Sequence, residues 1–345
     1  MLLAGVVSVG ALALGFAGDY LAVFLDVPVP LAATVFLVLL NMRGIKESMG
    51  ANSAATIIEV SGLLLVIVLG VVVAARGQAD LSRLTHLGTP TDGPVMAVLS
   101  GAVLAFYSYV GSGSSVNVAE EARDPRRSYP RALCGALLVA GLVYAGVGAA
   151  ASAVVPTAEL AASSGPLLEV VRIAGGVPLW LFGVIALMAV ANGALLTGIM
   201  SSRLAYGMAR DGLLPPVLGR VLPNRRTPWV AIIVTTGLSL VLALVGSIDL
   251  LASTLVLLLL VVFSTVNVAV LVLRKDPRGR ADHFRVPTVL PVLGLVSCLL
   301  LFTQVEASTW VLGLPLLAVG GLLAWFASRS ARATAATTGV PDADA

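Results

Sequence analysis

Charge is what this sequence has least of. Only 11% of its 345 residues are Asp, Glu, Lys or Arg, against about 25% in a soluble globular domain. Histidine occurs twice, at His86 and His283, each in a loop-like stretch, so no catalytic or structural metal site is expected. The two cysteines, Cys134 and Cys298, both sit inside apolar runs. That excludes a disulfide framework and leaves the redox compartment open. No cationic n-region precedes the first apolar run, as a cleaved signal peptide requires. Neither a phosphate-binding glycine loop nor a nucleophile–base pair is visible, so no enzyme and no cofactor are expected. The basic residues are scattered over separate segments rather than gathered in one patch, which argues against a nucleic-acid partner.

Hydrocarbon fills the chain instead. It is 58% hydrophobic, with a mean hydropathy of +1.01, enough for roughly ten membrane helices. The sequence therefore predicts an all-α polytopic membrane protein. Its apolar runs place spans at Leu2–Phe24, Pro30–Met42, Ala54–Ala75, Val95–Asn117, Ala132–Val154, Leu179–Tyr206, Trp229–Val245, Leu250–Leu273, Thr288–Phe302 and Thr309–Phe326. All 21 Lys and Arg except Arg76, Arg83 and Arg172 fall after even-numbered spans or in the C-terminal tail. By the positive-inside rule that side, with the C-terminus, faces the cytoplasm of a cell (plasma) membrane. Residues 1–330 read as one transmembrane domain, and 331–345 as a disordered cytoplasmic tail rich in Ala and Thr. Asp19 falls near the outer end of the first span, as an interfacial residue of the external vestibule. Gly141, Gly146 and Gly148 fit close helix packing.

One run interrupts itself. From Ala105 to Arg131 the chain begins as an apolar span, sets small and polar residues (Ser108, Gly111, Ser112, Gly113, Ser114, Ser115) at bilayer depth, and ends in a cationic loop. Irregular backbone at that depth is tolerated only where it lines a protein cavity. Broken helices near the midplane are how secondary transporters build substrate and ion sites. In Tyr107–Gly111, free N–H and C=O groups and the partial charges of half-helix ends would hold the charged ends of a small molecule. Tyr107 and Tyr109 would stack on it or hydrogen-bond to it. The alternative is an aromatic packing cluster with a glycine contact.

Four polar groups elsewhere stand out. Glu59 lies in the apolar run Ile57-Ile-Glu-Val-Ser-Gly. A carboxylate inside a membrane costs several kcal/mol unless it is paired or neutral, which makes it a candidate proton site; the other reading is a carboxylate near the inner interface, satisfied by Lys46 or a serine hydroxyl. Asn192 and Thr197 lie in the sixth span, as ligands for an ion or water or as an ordinary interhelical hydrogen bond. Glu120 and Glu121, with Arg123 and Arg127 nearby, read as a cytoplasmic ion-pair network that gates the inner end of the broken span, rather than as a catalytic carboxylate pair.

These segments carry a resemblance. Phe106-Tyr-Ser-Tyr-Val-Gly111, followed by Glu120-Glu-Ala-Arg-Asp-Pro-Arg-Arg127 and Pro130-Arg-Ala, resembles the sixth helix and following loop of the amino acid–polyamine–organocation (APC) superfamily, the amino acid permeases. Ser202-Arg-Leu-Ala-Tyr-Gly-Met-Ala-Arg-Asp-Gly-Leu-Leu-Pro215, with Thr227-Pro228 beyond it, is similar to the end of that family's eighth helix. Asn41-Met-Arg-Gly-Ile-Lys-Glu-Ser48 with Asn52 resembles the loop between helices four and five, and Phe284-Arg-Val-Pro287 the entry to helix eleven. The resemblance implies a transporter fold in which helices one to five are repeated, inverted, by six to ten. The chain would then begin at helix three, an N-terminal truncation. Substrate lies between unwound parts of helices one and six in that family, so Phe106, Tyr107, Ser108, Tyr109, Val110 and Gly111 are the substrate-binding residues that the resemblance implies. Glu59, Asn192 and Thr197 would be the proton- or ion-coupling group. Some proton-coupled members have a lysine where Glu59 stands, and that lysine mechanism does not carry over to an acid. The expected function is transport of an amino acid across the plasma membrane by alternating access, coupled to protons or working by exchange. The uncharged binding segment favours a neutral amino acid. The alternative is a non-transporting fragment, or a partner-binding remnant, of such a permease. A channel is disfavoured by the lack of a charge ring or a filter-like carbonyl run.

Overall fold

In the computed structural model the described residues form helices, short 3-10 turns and connecting loops, with no strand among them. The structure describes all residues except 44–48, 87–92, 110, 112–123, 223–226, 275–285 and 339–345; of 40–43, 49, 51, 125, 126, 324 and 326–338 it describes the backbone alone. Every apolar run in the sequence contains a helix. They are α1 (Leu2–Ala17) with the short α2 (Asp19–Ala22), α3 (Val29–Arg43), α4 (Met49–Ala75), α5 (Pro94–Tyr107) and α6 (Pro125–Val154). Then come two short helices, α7 (Thr157–Ala162) and α8 (Pro166–Ala174), followed by α9 (Leu179–Arg210), α10 (Trp229–Val245), α11 (Ile248–Leu273), α12 (Val289–Phe302) and α13 (Ala307–Thr338).

Fewer of these than the sequence suggests are long enough to cross a bilayer straight. Leu2–Ala22, Asn52–Ala75, Arg127–Val154, Leu179–Arg210 and Ile248–Leu273 have the length and hydropathy. A sixth is added if Val289–Phe302 and Ala307–Leu323, inclined at 118° across a short break, form one broken span. Val29–Leu39, Pro94–Tyr107 and Trp229–Val245 are apolar but shorter; at 1.5 Å per residue, 14 residues reach only about 21 Å. At the C-terminus, α13 runs on to Thr338, past the boundary at 330. Ala331, Ala333, Ala335 and Ala336 are strong helix formers.

Close approaches fix the helix directions. Gly5 of α1 meets Ser201 of α9, and Gly193 faces Leu12, so these two helices run in opposite senses. The Ser239 hydroxyl donates to the carbonyl of Val6, and Gly10 comes up against Ser239 and Ala243, so α10 runs parallel to α1. Gly146 faces Ile67 and Gly70 faces Ala150, so α6 runs parallel to α4. Gly62 meets Ile185, which with the Glu59–Asn192 contact makes α9 antiparallel to α4. These are the directions that successive crossings of the apolar runs produce. At the centre, α1 packs on α9; α1 also packs on α3 and α11, α9 on α10 and α4, and α3 on α10. Exchanging α1 with α9, α3 with α10 and α4 with α11 maps these contacts onto one another, which is the pattern of an inverted repeat, although the α1–α10 packing has no counterpart of similar extent between α9 and α3. One part of the core lies where α1, α10 and α11 meet: Val6, Val7, Leu251 and Leu255 are all buried there.

Candidate functional site

The helix of the interrupted run stops where the sequence places its break. α5 ends at Tyr107; the N–H groups of Ser108 and Tyr109 turn back onto the carbonyls of Ala105 and Phe106 at 3.1 Å each. The two tyrosines flanking Ser108 face different ways, as residues two apart on a helix must. Tyr107 points inward, packs beside α1 and α11, and comes within hydrogen-bonding reach of Ser8. Phe106 joins it, edge-on to Phe263 with ring centroids 5.7 Å apart. Those two side chains anchor the end of α5. Tyr109 instead crosses to α6, edge-on to Tyr144 with centroids 5.6 Å apart and planes at 82°. Ser108 and Gly111 are exposed. Val110 lies outside the described residues.

The intramembrane carboxylate has a partner. Asn192 of α9 is buried, and its Nδ2 donates to Glu59 Oε1 at 2.8 Å and, more weakly, towards Asn52 Oδ1 at 3.4 Å. Three polar side chains, two from α4 and one from α9, thus meet, with Asn192 buried and Glu59 and Asn52 half-buried. A neutral amide donor keeps the carboxylate from being isolated without cancelling its charge. The ammonium partner considered for it, Lys46, lies outside the described residues. Thr197 is not part of this group. Five residues beyond Asn192, it sits about 140° further round the helix, and its carbonyl accepts from Ser201 Oγ at 2.8 Å.

Glu120, Glu121 and Arg123 lie outside the described residues, so only Arg127 of the expected gating network can be placed: it is exposed in the first turn of α6. Asp19 is more than an interfacial residue. Gly18 breaks the helix before it, and its carboxylate accepts from Ser163 Oγ and from the Gly165 N–H, both at 2.9 Å. Its own N–H donates to Ser164 Oγ at 3.0 Å. A Cβ on Gly18 would stand 2.7 Å from Ser164 Oγ, and one on Gly165 3.0 Å from Asp19 Cβ, so both glycines are needed for this approach. The α1–α2 elbow is thereby clamped to the α7–α8 connection.

Sequence reasoning missed Tyr144 and the role of Asn52. The signal for Tyr144 was a phenol in the middle of the run Ala132–Val154. Of the three glycines read as packing positions, Gly146 lies against Ile67. Gly141 makes room for the hydroxyl of Tyr109, 2.8 Å from where its Cβ would be, and Gly148 meets nothing within 4 Å.

Several known proteins are similar to this chain. It is 30% identical over 291 residues to the branched-chain amino acid permease BcaP of Bacillus subtilis, covering 83% of this chain and 60% of the relative. It is 27% identical over 310 residues to the methylthioribose transporter of the same organism, covering 87% and 64%. The low-affinity putrescine importer PlaP of Escherichia coli is 28% identical over 305 residues, covering 84% and 65%. The chain thus spans less than two thirds of the length of these relatives. A family model described as amino acid permease matches residues 2–323, nearly the whole helical body with its broken α5 and its Glu59–Asn192 pair, and the chain belongs to the amino acid permease family.

Proposed function

We propose that this chain is the membrane body of a secondary transporter for a small amino acid, working by alternating access in the plasma membrane with its C-terminus in the cytoplasm. The observation that carries the reading is the end of α5 at Tyr107, partway along an apolar run, which directs the negative end of the helix at the segment that holds Tyr109. Such a helix end can meet the ammonium group of an amino acid. The segment from Phe106 to Gly111 has no charged side chain, which supports a neutral substrate. A relative named for branched-chain amino acids supports the same choice; relatives named for methylthioribose and putrescine widen the panel to be tested.

Coupling runs through Glu59 in this proposal. Protonation would turn its acceptor pair into a donor–acceptor pair and so change its bond with Asn192, which joins α4 to α9. Among the described residues, Tyr144 of α6 is a titratable group within electrostatic range of Glu59, and Tyr109 packs against it. From α9 the neutral Asn192 faces it. Glu169 and Arg172 of α8 pair with each other at 2.6 Å, towards the far end of α4.

The test is uptake into proteoliposomes of a panel of labelled neutral, cationic and polyamine substrates, beside substrate-dependent shifts in melting temperature. Saturable uptake of one class, with a matching thermal shift, is expected. No uptake and no shift across the panel would replace the proposal with the second reading, a scaffold without transport of its own.

A further inference from the structure

We infer that Tyr144 is a positioning residue that links the substrate segment at Tyr109 to the Glu59–Asn192 pair, so that occupancy of one is felt by the other. The inference rests on the transport reading above. It begins from the way α6 is shaped to receive Tyr109. Gly141 and Tyr144 are three residues apart and share a helix face. Gly141 removes every side-chain atom beneath the Tyr109 hydroxyl: a Cβ there would be only 2.8 Å from it. Tyr144 supplies the ring edge, 5.6 Å from the Tyr109 centroid at 82°. The notch and the edge together fix where Tyr109 stands.

The other end of the link follows from the register of α6 on α4. Gly146 opposes Ile67 and Ala150 opposes Gly70, with the two helices parallel. Tyr144 therefore sits level with Leu64–Leu65, about 8 Å along the axis above Glu59. Side chains on a helix lean towards its N-terminus, and for Tyr144 that direction is towards Glu59. At this separation the field of an ionised Glu59 reaches the Tyr144 hydroxyl. A phenol placed this way has two constraints. A shift of Tyr109 on substrate binding moves the edge contact, and a change in the charge of Glu59 changes the field on the hydroxyl. Neither Tyr107 nor Phe106 can substitute, because both are turned towards α1 and α11.

The experiment compares Tyr144→Phe, Tyr144→Leu, Glu59→Gln and the double variant Glu59→Gln/Tyr144→Phe for the pH profile of uptake, with KM and maximal rate separated. Tyr144→Phe keeps the ring edge and is expected to leave KM within twofold while moving the pH profile towards that of Glu59→Gln. Tyr144→Leu is expected to raise KM about five- to tenfold, the usual size of a coupling between sites. The double variant should behave like Glu59→Gln alone. Wild-type KM and pH profile in both Tyr144 variants, with Glu59→Gln altered, overturns the inference and leaves the coupling proposal standing. An unaltered pH profile in Glu59→Gln removes the coupling proposal, and the link with it. Melting temperatures of the same four proteins across pH test the link without transport: the effects of Glu59→Gln and Tyr144→Phe should be non-additive, and simple additivity overturns it.

Discussion

At Glu59 one carboxylate meets one amide donor, and the size of that contact decides what its loss should do. Hydrogen bonds to charged groups are worth about 1.5–3 kcal/mol in water-soluble proteins, but interhelical bonds in membranes average about 0.6 kcal/mol because the separated helices also find partners. Glu59→Gln keeps an acceptor facing Asn192, so its stability should change by less than about 1 kcal/mol while the pH dependence of uptake flattens. An unchanged pH profile removes Glu59 from the mechanism. Asp19 is a different case, because its carboxylate accepts from both Ser163 and Gly165. Asp19→Ala should cost about 2 kcal/mol, and hydrogen exchange should speed up over Thr157–Ala174; unaltered exchange there would mean the clamp does not hold that connection. Glu59, Asn192 and the break after Tyr107 were legible because each is a polar interruption of an apolar run. The pairing of Glu59 with Asn192 was not, since it depends on the register of two helices whose contact residues are 133 positions apart. The opposite facing of Tyr107 and Tyr109 follows from helix periodicity, and it separates an anchoring ring from one beside the candidate site.

Several helix contacts in this molecule are close approaches at glycines. Where α4 meets α6, a Cβ on Gly70 would stand 2.5 Å from Ala150 Cβ and 3.0 Å from its Cα. Backbone cannot step aside as a flexible side chain can, so Gly70→Ala should separate the helices and cost about 1–3 kcal/mol. Gly148→Ala, on the side of α6 turned away from Ala150 and with nothing within 4 Å, should be neutral or slightly stabilising, by up to about 1 kcal/mol. Thermal unfolding in detergent compares the two; equal effects would show that the close approach is not what Gly70 provides. The apolar runs announced each helix, because burial in hydrocarbon leaves no other way to satisfy the backbone. Their composition did not announce which of them stop short of a full crossing, nor that α12 and α13 meet at 118°. Those features come from neighbouring helices rather than from local sequence.

For the whole molecule, the distribution of Arg and Lys predicts which ends of the helices share a compartment. In a background lacking Cys134 and Cys298, His86→Cys should react with an impermeant thiol reagent from outside intact cells, and Arg220→Cys only after the inner face is opened. Labelling of both from the same side would overturn the orientation. The inverted relation of α1, α3 and α4 to α9, α10 and α11 was expected from the resemblance and appears as a pattern of contacts. The helical stretches of α5 and α12 have a consequence for the surrounding lipid. Each is 14 residues long, they touch each other, and Ser100 of α5 donates to Gln304 at the bend beyond α12, 3.3 Å away. Over the described residues, the flank they form offers about 21 Å of helix to a hydrocarbon layer about 30 Å thick. Acyl chains there must compress or shorten, at a fraction of a kcal/mol per ångström. In nanodiscs of graded acyl length, the protein should melt highest in the shorter-chain lipids, and short chains should collect along that flank, so that the membrane it inhabits is thinned on one side only.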